Sequence, residues 1–204
     1  MTIIVGLIDQ AGRVRLGADT VYSNGNRNVD RNSKITSRPV KRPYRNGRQE
    51  ITYEDSYILM GASGGVRPAQ VVREMKPPDW PKGQSAYQYL VGPFVSAMRD
   101  ALISAGQMGK SDTQIDEAEL PMLIGMDGRL FVVWQDFSVT QPVDDYAAIG
   151  SGTDLALGAL FAVKYAPDPV ERIVMALRAA VAYSVSCGGP LDITDDHGNV
   201  CRIE

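Results

Sequence analysis

Thr2 is the first residue whose type and place suggest chemistry. A small residue after an initiator Met normally permits removal of Met1. Thr2 would then carry a free α-amino group with an ordinary pKa of about 7.7–8.0. Such an amine can take the proton from the threonine's own hydroxyl, directly or through a water, and so make a nucleophile without any histidine. The opening stretch, MTIIVGLIDQAGRVRLGADT, is expected to start a strand at once, with no leader in front of it. A rigidly held Thr2 is what this chemistry needs, because loose ends are usually solvated and expendable. Thr2 is equally a β-branched residue entering a strand, and the residue alone does not decide between the two.

Other chemistries have less to stand on. His197 is the one histidine, in a polar stretch beside Asp196 and Gly198, and Ser–His–Asp or Cys–His catalysis would have to pass through it. The two cysteines, Cys187 and Cys201, make neither a disulfide framework nor a zinc spacing. Neither GxxxxGK[ST] nor GxGxxG is present, so no metal and no cofactor is expected. A net charge of −3 over 204 residues argues for neither nucleic acid nor a membrane surface as partner. The run Ile3 to Ile8 is too short to span a bilayer. A cytoplasmic protein of one domain, spanning 1–204, is the expectation.

The elements that must position Thr2 follow from pattern. Ile3–Ile8 is nearly continuous apolar sequence, as a strand buried on both faces would be. Val14, Leu16 and Ala18 alternate with Arg13, Arg15 and Gly17 and form its hairpin partner. Residues 22–33 read as a loop, and Lys34-Ile35 begins a strand. Residues 37–50 are polar and basic, with Asn46-Gly47 as a tight turn of the primed type, and suggest a projecting hairpin. Tyr57–Met60 is a short strand ended by Gly61-Ala62-Ser63-Gly64-Gly65, before a helix over 66–75. Leu90, Phe94, Ala97, Met98, Ala101 and Leu102 give a helix over 86–105 with one face inward. Tyr87, Tyr89 and Val95 lie beyond that face.

Residues 122–125 and 130–134 are strands around Asp127-Gly128, the strongest short hairpin signal in the chain. After a strand at 146–149, Ser151 and Asp154 form a capping-box-like helix start. Asp168-Pro169-Val170-Glu171 starts another helix, with Asp as cap and Pro at the first position. Residues 191–193 are a last strand, and 195–204 a polar tail. The order is strands, two helices, strands, two helices, strand. Two antiparallel sheets packed between helix pairs would accommodate it.

The segments TIIVGLIDQAGRVRLGADT, SKI, LMGASGG, AAIGSGTDLALGAL and SCGG, in this order and spacing, resemble the proteasome β-subunit family, and within it the bacterial HslV peptidases. The resemblance runs from Thr2 to Ile193, apart from residues 37–50 and a loosely patterned middle. It implies an α+β fold, the four-layer αββα sandwich of N-terminal nucleophile hydrolases. It also implies a threonine peptidase that cleaves peptides or unfolded proteins inside a homo-oligomeric ring, with an ATPase unfoldase as a possible partner. On it, Thr2 matches the nucleophile. Asp19 matches the acidic residue after the second strand, and Lys34 the lysine facing the nucleophile. Gly64 matches the backbone N–H of the oxyanion hole, and Ser151 the serine beside the nucleophile and its amine.

Two departures stand out. The family's late Asp-x-x-Ser-Gly-Gly element is here Ser184 and Cys187 before Gly188-Gly189, so its carboxylate is missing. Lys34 and Gly64 are 30 residues apart, wider than the family pattern, which marks 37–50 as an insertion. The missing carboxylate favours a second reading, a scaffold that kept the fold and lost activity. A small-amide hydrolase on the same fold is a third. The insertion and the helix over 86–105 are the expected ring or ring-stacking surfaces.

Overall fold

The computed structural model describes all residues except 1, 24–27, 31, 49, 111–115 and 195–197, and of 23 and 28–30 it describes the backbone. In chain order the strands are β1 Ile3–Ile8, β2 Val14–Asp19, β3 Tyr22–Ser23, β4 Asn28–Asp30, β5 Ile35–Arg45 and β6 Ile51–Ala62, then β7 Gly109–Lys110, β8 Asp116–Glu117, β9 Met122–Met126, β10 Arg129–Val133, β11 Val139–Thr140, β12 Tyr146–Gly150, β13 Leu191–Thr194 and β14 Val200–Ile203. The helices are α1 Val66–Glu74, α2 Ala86–Tyr89, α3 Val95–Ser104, α4 Thr153–Ala162 and α5 Pro169–Tyr183.

Two five-stranded antiparallel sheets carry the fold, in the orders β12-β1-β2-β13-β14 and β11-β10-β9-β6-β5. Alternation along β1 explains its unbroken apolar sequence. Ile3, Val5 and Leu7 pack against Ala156 and Leu160 of α4 and Ile173, Ala176 and Leu177 of α5. Ile4, between them, packs with Leu16 and, from the second sheet, Leu59, Leu123 and Leu130. The outer face of the second sheet (Ile58, Met60, Ile124, Phe131) meets Val72, Tyr89, Phe94 and Met98 of the other helices. The layers are thus helix, sheet, sheet, helix, the α+β sandwich that the resemblance implies. A side chain at Gly61 would clash with Ile4, so the sheets approach closely beside the start of β1. Among the described residues no helix is long and apolar enough to cross a membrane.

Several local expectations hold. Asp127 and Gly128 both have positive φ and join β9 to β10 with Arg129 opposite Met126, as a two-residue primed turn requires. Asp168 accepts a hydrogen bond from Val170 N at 2.8 Å, with Pro169 in the first turn of α5. Others are corrected. Ser151 caps no helix: α4 begins at Thr153 with Gly152 at the cap and no side-chain cap bond. Ser151 instead faces Thr2. Asn46-Gly47 is not a two-residue turn, since Arg45 pairs with Ile51 and the Asn46 side-chain oxygen accepts from Arg48 N and Glu50 N across a longer loop.

The short strand at 57–60 is the inner part of the twelve-residue β6. Residues 22–33 contain the small ribbon β3–β4, and the polar connection after residue 108 contains the ribbon β7–β8. The polar tail supplies the edge strand β14; His197 lies outside the described residues. Between α2 and α3, Leu90–Phe94 forms a π-helical turn containing Pro93, which lacks the N–H of a regular turn. That turn shifts the helical phase. Tyr89 and Val95, expected beyond the core face, are buried, whereas Tyr87 stays exposed.

The basic segment is the far end of a hairpin. β5 and β6 pair along their full lengths, but β6 meets β9 only from Leu59 to Ala62. The rest projects past the sheet. Two of its charges are matched within the hairpin or just below it, Lys41 with Asp55 and Arg42 with Glu54 and Asp127, and Arg38 reaches Glu74 of α1.

Candidate active site

Thr2 sits where β1 begins and is only 4% exposed. β1 lies between β12 and β2, so both sides of this stretch are paired. The Thr2 nitrogen donates to Ser151 Oγ at 3.3 Å, and the same hydroxyl lies 3.3 Å from the Thr2 carbonyl oxygen as a donor. This contact depends on Gly150. Its φ is +105°, and a side chain there would clash with the Thr2 carbonyl and crowd Ser63 Oγ. Gly152 is similarly confined: a Cβ would stand 2.8 Å from Ala180 Cβ and 3.2 Å from Cys187 Sγ.

Asp19 ends β2 and is fully buried. Its Oδ1 accepts from Ile3 N at 3.0 Å and from Lys34 Nζ at 2.8 Å, and its Oδ2 accepts from Gly188 N at 3.2 Å. One carboxylate therefore ties the residue after Thr2 to a buried ammonium and to the Gly188 turn. Lys34 Nζ also lies 5.0 Å from the centre of the Tyr22 ring. Burial pushes the Lys34 pKa down, against the attraction and hydrogen bond of Asp19 and a smaller pull from Cys187.

Gly64 stands in the turn after β6 with φ +97°, and a side chain there would clash with the Glu119 carbonyl. Its neighbours are tied down: Ser63 N donates to Pro121 O at 3.0 Å and Gly65 N to Glu119 O at 2.7 Å. Among the described residues the Gly64 N–H has no acceptor. The GASGG turn is beside Thr2, since Ser63 Oγ adjoins Gly150.

Cys187 closes the other side. Its Sγ lies 4.0 Å from Ser151 Oγ and 3.7 Å from Ser184 Oγ, and Ser184 Oγ donates to Ser186 Oγ at 3.3 Å. Burial raises the Cys187 pKa, which the Ser184 hydrogen bond partly offsets. The cluster around Ser151 is thus built from hydroxyls and a thiol, with no carboxylate of its own.

All five residues singled out in the sequence come to one end of the sandwich. Thr2 touches Ser151, Asp19 touches Lys34, and Gly64 follows Ser63. Tyr22 and Ser63 gave no advance signal, since each is ordinary in its loop. Among the described residues no group of three or more His, Cys, Asp or Glu could hold a metal ion.

The fold is the one seen in HslV-like N-terminal nucleophile hydrolases. No family model matches the chain. The ATP-dependent protease subunit HslV of Pediococcus pentosaceus is 23% identical over 171 residues, 84% of this chain and 78% of that protein. Among solved structures, Thiobacillus denitrificans BPH in complex with epoxomicin superposes with a TM-score of 0.68 at 17% identity, over 100% of both chains. The Anbu (Gly-1) mutant from Hyphomicrobium sp. strain MC1 gives 0.65 at 16% identity, over 99% of this chain and 85% of that one. HslV from Trypanosoma brucei gives 0.58 at 16% identity, over 94% and 97%. At such identities the superpositions speak for the fold.

Proposed function

We propose that the chain is a threonine-type peptidase that uses Thr2 as nucleophile inside a self-compartmentalising homo-oligomeric ring. The observation that carries this reading is the shared Asp19 carboxylate. It holds the Lys34 ammonium two hydrogen bonds from the backbone of Ile3, at the start of β1. A buried cation there stabilises a threonine alkoxide and favours the neutral form of a nearby amine.

Once Met1 is removed, the Thr2 amine keeps its place against Ser151 Oγ and takes the hydroxyl proton. The Thr2 oxygen attacks the substrate carbonyl, and the Gly64 N–H receives the oxyanion. The amine's proton passes to the leaving nitrogen as the acyl-enzyme forms. Water, deprotonated by the same amine, then releases the product. Peptides or unfolded proteins are the substrates, delivered by an ATPase partner as the name of the Pediococcus relative suggests for that protein.

The test uses epoxomicin, the ligand seen with the Thiobacillus protein. Intact mass should show a chain lacking Met1 and one epoxomicin adduct, lost in Thr2→Ala. Full peptidase activity with Met1 retained would refute the mechanism. The neutral cluster of Ser151, Cys187 and Ser184 favours a second reading, a weakened relative that binds peptides without turning them over. Adduct formation without hydrolysis of any peptide in a fluorogenic panel would select it. Turnover of small amides but not peptides would select a small-amide hydrolase.

A further inference from the structure

Arg172 stands on the inward face of α5, one residue before the apolar series Ile173, Ala176, Leu177 and Ala180. An apolar residue is expected there; Arg172 is only 5% exposed instead. Its Nε and Nη2 have no hydrogen-bond partner among the described residues. The nearest carboxylate oxygen, Asp145 Oδ2, is 4.0 Å from Nη2, beyond hydrogen-bonding distance, on a side chain that is 55% exposed. Burying an ion without hydrogen bonds costs several kcal/mol. Nε and Nη2 are also the two donors on one edge of the guanidinium, the edge that grips two oxygens of one anion in parallel.

Arg172 lines part of a cavity of about 210 Å³, with its Nε and Nη2 buried just behind the wall. The other walls are the turn after β1, with Asp9, Gln10 and Arg13, and the link between α4 and α5, with Pro167 and Pro169. The Asp9 carboxylate is already engaged by Arg13 and by the N–H groups of Ala11 and Arg13. It therefore leaves Arg172 unanswered. The cavity lies at the opposite end of β1 from Thr2.

We propose that this cleft is an oxyanion site. A carboxylate or phosphate group enters beside Asp145, which swings toward solvent. Two of the anion's oxygens then accept from Nε and Nη2 of Arg172. The chemistry is that of a planar donor pair meeting two oxygens of one anion, so chloride does not substitute.

The test follows the thermal midpoint of the whole purified protein at constant ionic strength, with phosphate, acetate and chloride as probes. Phosphate, acetate or both should raise the midpoint saturably, and chloride should not; the two active arms separate a tetrahedral from a planar ligand. Arg172→Lys keeps the charge and loses the fork, and should weaken the affinity at least about tenfold. Asp145→Ala removes the competing carboxylate and should tighten it, which keeps the idea testable if the Arg172 variant folds poorly. A wild-type protein with no saturable response overturns the proposal. So does an Arg172→Lys variant that binds as well as the wild type, or an Asp145→Ala variant that no longer binds.

Discussion

Asp19 Oδ1 is shared between Lys34 Nζ and the backbone N–H of Ile3, at 2.8 and 3.0 Å. The carboxylate is therefore a structural clamp on β1 as well as the counter-ion of the lysine. Asp19→Ala should take the carboxylate away from the buried Lys34 ammonium and free the Ile3 and Gly188 N–H groups. The expected loss is about 3–5 kcal/mol of stability, read by urea denaturation. A loss below about 1 kcal/mol would mean that water replaces the carboxylate.

Lys34 should make stability rise with pH on the alkaline side. Its folded pKa is pushed below the ordinary 10.5 chiefly by burial. Between that lowered value and 10.5 the unfolded chain holds more protons than the folded one, so unfolding free energy increases with pH across this window. Below the window the buried charge costs stability. The rise should be absent in Lys34→Met, and equal slopes in both proteins would contradict the assignment.

Ser151→Ala removes the acceptor of the Thr2 nitrogen while leaving the Gly150 turn. If the amine is the base, turnover should fall by about ten- to hundredfold, the equivalent of about 1.5–3 kcal/mol for a hydrogen bond to a charged group. The melting midpoint should move little. An unchanged kcat would assign Ser151 to structure alone.

Alkylation should distinguish the two thiols. Cys201 is exposed, while burial raises the pKa of Cys187. Iodoacetamide at neutral pH should label Cys201 first and Cys187 slowly, faster as pH rises. Modification of Cys187 should abolish epoxomicin labelling, because its sulfur borders Ser151 and Gly152. Peptide mapping of partly alkylated protein reads both.

Shortening the hairpin should separate folding from assembly. Between Arg42 and Glu54 the two strands pair with each other, Lys82 Nζ lies 5.7 Å from the centre of the Tyr53 ring, and the exposed ion pairs Lys41–Asp55 and Arg42–Glu54 contribute little. Replacing 43–53 with Asn-Gly should leave the thermal midpoint within a few degrees. If the hairpin is a ring contact, light scattering should show smaller particles. Unchanged size would remove it from the interface.

Features governed by near neighbours were legible in the sequence: the alternation of β1 and β2, the Asp127-Gly128 turn, and the Asp168-Pro169 helix start. The helix-cap reading of Ser151 fails, while its place beside Thr2 came from the resemblance: Ser before an acidic residue is the same local pattern whether its hydroxyl turns to its own helix or to Thr2, 149 residues earlier. Tyr89 and Val95 were misplaced because a π-helical turn breaks the 3.6-residue count on which facing is judged. β14 escaped notice because an edge strand pairs through its backbone and needs no apolar side chains. The site residues came from a family resemblance, and distance in sequence hid their contacts. Nothing near Asp19 announces that its carboxylate will meet the N–H of Ile3.

The position of β1 has a kinetic corollary. Thr2 precedes a strand flanked by β12 and β2 and sealed from solvent on both faces. Such strands open only when the whole molecule opens. The amide protons of Ile4 and Val5 should therefore be among the slowest to exchange, with protection equal to the global unfolding free energy. A threonine on this footing does not wear out by local fraying. If Thr2 is the nucleophile, heat should abolish activity along the same time course as it unfolds the protein, with no earlier phase in which the fold survives and activity is gone.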